Sequence, residues 1–261
     1  MWSGSDIQES IPTTALAHDQ GLLRGWGVFE TMLAVGLEVP LWPRHWARLQ
    51  HGARQLEIPL PPAQTVLDSL QQILRTAQLT FPPATNLNPT CRLRLTITAG
   101  DGRVWTQPGE HPHCVLTATP CPVPRSIIEQ PGLRLLTYPH PFSTSPVLQH
   151  CKHTSYLPWL MAARHARLQG CDDAVLLDSS GYVIETSHRN LFVWRDNELW
   201  TPPLSTGCLP GIMRGLVLET AARLGLCVRE KRFQVVECRA ATHVFATSAV
   251  TCCQAVREWD A

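Results

Sequence analysis

"DDAVLLDSSGYVIETSHRNLFVWRDNELWTP", residues 172–202, is the stretch that decides the fold. Apolar runs on either side of Ser179-Ser180-Gly181 predict a β-hairpin. A second hairpin follows, turned at Asp196-Asn197, two residue types that tolerate turn backbone. Two hairpins in succession imply a sheet. On either side lie helical patterns, "LPWLMAARHARLQG" (157–170) before and "IMRGLVLETAARLGL" (212–226) after. Gly225 suits the position just past the second helix. "LRLLTYP" (133–139) and "THVFATSAV" (242–250) supply further strands.

Moving toward the N-terminus, "PCPVPRSIIEQPG" carries four Pro between 120 and 131 and predicts a linker. The N-terminal part, 1–119, is then a small α/β domain, and 132–261 a larger one. "LRGWGVFETMLAVGLEVPLW" (23–42) predicts two strands about a Gly turn. "PRHWARLQHGARQLEI" (43–58) is an amphipathic helix with Trp46, Leu49, Ala53 and Leu56 on one face. "AQTVLDSLQQILRTAQL" (63–79) is a second, with Val66, Leu70, Ile73, Leu74 and Ala77 as its stripe. "CRLRLTITAG" (91–100) and "HCVLTATP" (113–120) alternate as strands. The fold class is mixed α/β in two domains.

Composition narrows the function. The 261 residues are 44% apolar and 16% charged, with a net charge of +1. That suits a globular protein with a sizeable core and supplies no basic field for nucleic acid or anionic lipid. There is no run of about 18 apolar residues. The first twenty residues show no basic and apolar leader, so the expected location is the cytoplasm. The ten Cys are scattered without a C-x-x-C pair, which favours free thiols over disulfides. No HExxH and no spaced Cys/His set predicts a metal site.

The chemistry centres on "QHCKHTSYLPWL", 149–160. The chain has 22 Lys plus Arg, and only Lys152 and Lys231 are Lys. Arg cannot lose its proton at ordinary pH, whereas Lys can, and a neutral amine attacks carbonyls to form a Schiff base. Lys152 lies in an apolar setting and is the candidate nucleophile. Lys231, flanked by Arg229, Glu230 and Arg232, reads as a solvated surface residue. Three weaker features accompany it. "STGCLPGIMRG" (205–215) places a Gly- and Pro-containing loop before a helix, whose first N–H groups attract phosphate, although Pro also starts many ordinary helices. Glu185 ends an apolar strand and would keep a ring nitrogen protonated; a solvated strand-end Glu is the plain alternative. Arg48 borders a buried helix stripe and has the fork geometry for phosphate; the plain alternative is a surface charge.

In order and spacing together, these features resemble the class IV (fold-type IV) pyridoxal-phosphate enzymes. That family includes branched-chain and D-amino acid aminotransferases and aminodeoxychorismate lyases. The resemblance runs from "HDQGLLRGWGVFET" to "FATSAV", through "HWARL", K-x-x-S-Y-L, the opening stretch and "TPPLSTGCLPGIMRG". It implies a small N-terminal α/β domain, a larger domain with a barrel-like sheet, and a homodimer. It also implies that Lys152 forms the Schiff base with pyridoxal phosphate and moves protons, and that Glu185 pairs with the pyridine nitrogen. Arg48, the backbone amides of Ile212 and Met213, and Ser248 would hold the phosphate.

Within the family, Thr31 after "GVFE" matches aminodeoxychorismate lyases, where such a threonine assists proton transfer to departing pyruvate. "GIMRG" and K-x-x-S-Y-L also resemble the lyases, with Ser155 where Asn is commoner. The implied reaction converts 4-amino-4-deoxychorismate to para-aminobenzoate, a folate precursor, and pyruvate. The lyases' R-G-x-G-x-R-G-Y loop is altered here to "TAGDGRVW", with Ala99 for the first Arg and Arg103 as the expected carboxylate-binding residue. The alternatives are a transaminase acting on branched-chain or D-amino acids, sharing the same cofactor residues, and a non-catalytic cofactor-binding relative.

Overall fold

The computed structural model describes residues 17–80, 90–102, 106–109, 111–124, 126–143 and 145–260. The chain divides into two compact units. The first takes Met1–Val123 together with Cys151–Tyr156, and the second takes Pro124–His150 and Leu157–Ala261.

In the first unit, β1 (Gly27–Val35), β2 (Thr90–Thr98) and β3 (Cys114–Pro120) form an antiparallel sheet in that order. A short helix, α1 (Gln20–Arg24), precedes it, capped by the Asp19 side chain on the Leu22 N–H. Two longer helices, α2 (Trp42–Gln55) and α3 (Ala63–Thr80), follow β1. Their stripes form the core expected from the sequence. Leu49, Ala53, Val66, Leu70 and Leu74 pack with Met32, Leu93, Leu95 and Ile97. Each Val, Leu, Ile or Met among them, fully withdrawn from water, contributes about 1.5–3 kcal/mol. Strand alternation then fixes what the other sheet face carries. Phe29 and Thr31 on β1, and Arg94 and Thr96 on β2, lie opposite the core residues.

One expected strand is absent. After β1 the chain makes only a single bridge, with Val35 and Glu38 exchanging both backbone bonds. Pro40 has no N–H to extend a ladder, and Leu41, at φ +66°, turns the chain directly into α2.

The second unit holds eight strands: β4 (Leu133–Thr137), β5 (Asp173–Leu177), β6 (Val183–Thr186), β7 (Asn190–Arg195), β8 (Glu198–Thr201), β9 (Cys227–Glu230), β10 (His243–Ser248) and β11 (Cys252–Trp259). Their order is β6-β5-β4-β11-β10-β7-β8-β9, the half-barrel sheet expected of the larger domain. Both expected hairpins are present, β5–β6 and β7–β8, and Asp196 and Asn197 take φ of 50° and 59° at the second turn. Helices α4 (Leu157–Leu168) and α5 (Ile212–Arg223) cover one face, and a four-residue helix, α6 (Val235–Cys238), follows β9. Ala162 and Ala166 of α4 pack with Ala174, Leu176 and Ile184, and Ala221 of α5 packs with Phe192 and Leu199. The opposite face packs Leu135, Val175, Val183, Leu191, Val193 and Phe233.

Two strands escaped the sequence pattern. β9 is short and mostly exposed, so it carries no apolar alternation. β11, "CCQAVREW", sits in the middle of the sheet between β4 and β10, yet most of its residues are only half-buried. The segment 151–156 also departs from expectation. It groups with the N-terminal unit rather than with the 132–261 stretch, because it hydrogen-bonds along β1.

Candidate active site

Lys152 is positioned by that pairing. The Phe29 N–H donates to the Lys152 carbonyl at 2.8 Å, and the Thr154 N–H donates to the Gly27 carbonyl at 2.9 Å. Val28 and His153 form the antiparallel bridge between them. The hydroxyls of Thr154 and Ser155 both donate to the Gly25 carbonyl, at 2.7 and 2.9 Å. Gly25 lies at φ +69°, and a Cβ there would come within 2.5 Å of the Ser155 Oγ, so only glycine admits this close approach.

Held this way, the Lys152 Nζ lies 4.5 Å from the centre of the Phe29 ring and 5.7 Å from that of Tyr156. Tyr156 meets Phe29 edge-on at 5.5 Å. The Arg94 guanidinium stacks on the same Phe29 ring at 3.7 Å, and Thr31 is its register partner across β1 and β2. One sheet face of the first unit therefore gathers an amine and a guanidinium around an aromatic ring, with Thr31 on the same strand face. Burial lowers the Arg94 pKa from its ordinary value, and the neighbouring Tyr156 partly opposes that. Arg nonetheless keeps its charge at any ordinary pH. Burial, then the charge of Lys152, pushes the His153 pKa down, which favours a neutral imidazole beside the lysine. Arg94 was not among the expected candidates. The signal was present: in "CRLRLTIT" Arg92 and Arg94 alternate with core leucines, so they share the outward face.

Arg48 lies on the other side of β1. Its Nε and Nη2 donate to the two oxygens of Glu30, each at 2.7 Å, and His45 Nδ1 lies 2.7 Å from Oε2. Glu30 is 1% exposed. Burial pushes its carboxyl up, but Arg48 and His45 outweigh this and bring it down to about 2. Glu30 thus fixes the plane of the Arg48 guanidinium. Arg103 lies outside the described residues, and Ala99 is fully buried at the end of β2.

The second unit carries the remaining residues. Glu185 is buried on β6, where Asn190 Nδ2 donates to its Oε2 at 3.1 Å and the Leu209 N–H donates at 3.2 Å. Asn190 also donates to the Leu209 carbonyl at 2.9 Å. A Cβ on Gly211 would fall 1.9 Å from Asn190 Oδ1, so Gly211 has to be glycine for the loop to lie against β7. Gly211 is the N-cap of α5, and no side chain caps that helix end. Ile212 and Met213 therefore present their N–H groups at its first turn. Ser248, at the end of β10, bonds Thr251 within a turn, Oγ to Oγ1 at 2.7 Å. Thr247, 2% exposed, has an Oγ1 without a hydrogen-bond partner.

These residues fit a phosphorylated pyridine. A carboxylate suits a protonated ring nitrogen, an uncapped helix start suits a phosphate, and a buried hydroxyl lacking a partner suits a further ligand oxygen. The lysine set aside above, Lys231, is less bare than expected: its Nζ sits 3.7 Å from the Trp200 ring centre and 3.5 Å from Glu237. Among the described residues no cluster of His, Cys, Asp or Glu is arranged to hold a metal ion, and no helix is long and apolar enough to cross a membrane.

The profile of the class IV amino-transferase family matches residues 27–259. A Methanocaldococcus jannaschii protein named as a branched-chain-amino-acid aminotransferase is 29% identical over 231 residues, 88% of this chain and 77% of its own length. The aminodeoxychorismate lyase of Vibrio harveyi is 26% identical over 223 residues, 84% of this chain and 78% of its own. The solved structure of a Legionella pneumophila protein, named as a 4-amino-4-deoxychorismate lyase, matches with a TM-score of 0.83 at 24% identity. It covers 97% of this chain and 88% of that one, a likeness of fold. The chain belongs to the class IV aminotransferase family and is a pyridoxal-phosphate-dependent enzyme.

Proposed function

We propose that the enzyme is a lyase converting 4-amino-4-deoxychorismate to para-aminobenzoate and pyruvate. The observation that carries this is the face of the first unit on which Lys152 and Arg94 meet the Phe29 ring and Thr31 pairs in register with Arg94. The substrate has two carboxylates, and Arg94 offers a forked cation for one of them. Lys152 Nζ takes the proton from the ring carbon, and the Thr31 hydroxyl delivers a proton to the departing three-carbon fragment. Aromatisation of the ring favours the products. By the family resemblance, the phosphate falls to Arg48, steadied by Glu30, and to the Ile212 and Met213 amides at the start of α5. Glu185 keeps the ring nitrogen protonated. When bound, pyridoxal phosphate supplies the electron sink that stabilises negative charge at the substrate carbon. Supply of a folate precursor, a homodimeric assembly and a cytoplasmic location belong to the same proposal and rest on the family resemblance.

Transamination of amino acids is the second reading. The Methanocaldococcus relative supports it, and Lys152, Glu185 and the α5 terminus would serve it equally. The test is direct. Purified protein with a visible cofactor band is given aminodeoxychorismate. Formation of para-aminobenzoate and pyruvate in equal amounts is expected. Absence of product, together with turnover of amino-donor and keto-acid pairs, overturns the lyase assignment.

A further inference from the structure

We infer that the Thr247 hydroxyl is a direct hydrogen-bond donor to the cofactor phosphate at the start of α5. This rests on the placement of the phosphate at that helix terminus. Its basis is the register of β10 on β7. Phe245 pairs with Phe192, and their rings stack at 5.0 Å with planes 4° apart, packed on Val217 and Leu218 of α5. Two residues further along both strands, Thr247 pairs with Asn190. Residues two apart on a strand share a face, and directly opposed residues share it too. Thr247 therefore points to the α5 side of the sheet.

Asn190 marks what lies there. Its amide holds Glu185 and Leu209, and its Oδ1 occupies the space that a Gly211 side chain would fill. So Thr247 stands beside the side chain that meets the uncapped first turn of α5. Its hydroxyl is buried without a partner, a state that native proteins seldom tolerate unless a ligand completes it. Ser248 differs. It is one residue further along, so strand alternation turns it away, and its Oγ is already engaged with Thr251. Thr247 is thus the β10 hydroxyl that faces the ligand, while Ser248 shapes the turn behind it. A threonine hydroxyl brings one donor, which a phosphate oxygen accepts.

Thr247→Val keeps the shape and removes the hydroxyl; Thr247→Ser keeps the hydroxyl. Apo and holo forms of each variant would be melted, and dissociation constants for pyridoxal phosphate and for inorganic phosphate would be measured. Removing an unsatisfied buried hydroxyl should leave the apo form of Thr247→Val as stable as wild type or more so. Its pyridoxal-phosphate dissociation constant should rise roughly ten- to a hundredfold, as expected for one hydrogen bond to a charged group. Inorganic phosphate binding should weaken in parallel, and Thr247→Ser should restore both. Unchanged constants for Thr247→Val overturn the inference, as does weaker cofactor binding with unchanged phosphate binding. An apo form that melts lower with unaltered binding also overturns it, by assigning the hydroxyl a purely structural role. A wild-type protein that takes up pyridoxal phosphate but shows no competition from phosphate would instead fault the placement of the phosphate at α5.

Discussion

Each unit of this enzyme buries a carboxylate on a strand, and different donors meet the two. Glu30, on β1, meets two basic side chains: Arg48 grips both oxygens and His45 approaches one. Glu185, on β6, receives neutral donors on Oε2, the Asn190 amide and the Leu209 backbone N–H. Neutral donors orient a carboxylate without cancelling its charge, whereas a bidentate guanidinium does both. Glu30 is accordingly an anchor for Arg48. Under the proposed function Glu185 is the acid set against the protonated ring nitrogen. The two buried acids are thus given different tasks, one anchoring an arginine and one proposed to meet the cofactor.

The largest expected effect sets the scale for this comparison and touches neither acid. Lys152→Ala should cost turnover on the order of 10⁴-fold or more, since the group that reacts is removed outright. It should also abolish the visible absorption band of the purified protein. A retained band would move the reactive amine elsewhere.

Glu30→Gln comes next, and its effect should fall on stability. Removing one member of a buried ion pair strands the other, at roughly 3–5 kcal/mol. Once folded and saturated with cofactor, the variant should turn over near the wild-type rate. Its pH dependence sharpens the point. The folded pKa of about 2 lies below the ordinary 4.5, so the contribution is fully present above about pH 4.5. It declines as pH falls from there through about 2, and Glu30→Gln should flatten the stability profile across that window. Chemical denaturation at pH 3 and pH 6 measures this. A variant with normal stability and poor turnover would erase the distinction between the two acids.

For Glu185→Gln the opposite is expected. Turnover should fall roughly 10²-fold or more with little loss of stability, because the amide preserves shape but not charge. Unchanged turnover would remove its role at the ring nitrogen. Thr31→Ala should cost about 10²-fold in lyase rate while cofactor affinity stays within error. An equal loss of cofactor binding would make Thr31 a structural residue. The smallest effect belongs to Lys231→Met. Its contacts with Trp200 and Glu237 are partly exposed, so less than about 1 kcal/mol should be lost, and no activity. Any loss of the absorption band in this variant would contradict the choice of Lys152.

Much of the architecture was legible in advance. The stripes of α2 and α3, the hairpins at Gly181 and Asp196-Asn197, and the helix after Gly211 are local patterns, and local patterns survive folding. Lys152, Glu185 and Arg48 stood out as candidates by residue type, and the roles proposed for them rest on the family resemblance. β11 could not, because its half-buried residues show no alternation, although it sits in the middle of its sheet. Nor could the second strand expected after β1 be rejected without seeing Leu41 turn into α2.

The sequence by itself determined the mixed α/β class, the candidacy of an amine rather than a guanidinium as the proposed nucleophile, and turns such as those at Gly181 and Asp196-Asn197. Side-chain chemistry and backbone propensity act within a few residues, so a chain read in one dimension reveals them. Tertiary structure alone decided that residues 151–156 lie along β1, that Arg94 shares the Phe29 ring with Lys152, and that Glu30 anchors Arg48. It alone left the Thr247 hydroxyl unpartnered beside Asn190. Those facts depend on strand register and on contacts between residues far apart in sequence, such as Phe29 and Lys152, and no local pattern encodes them.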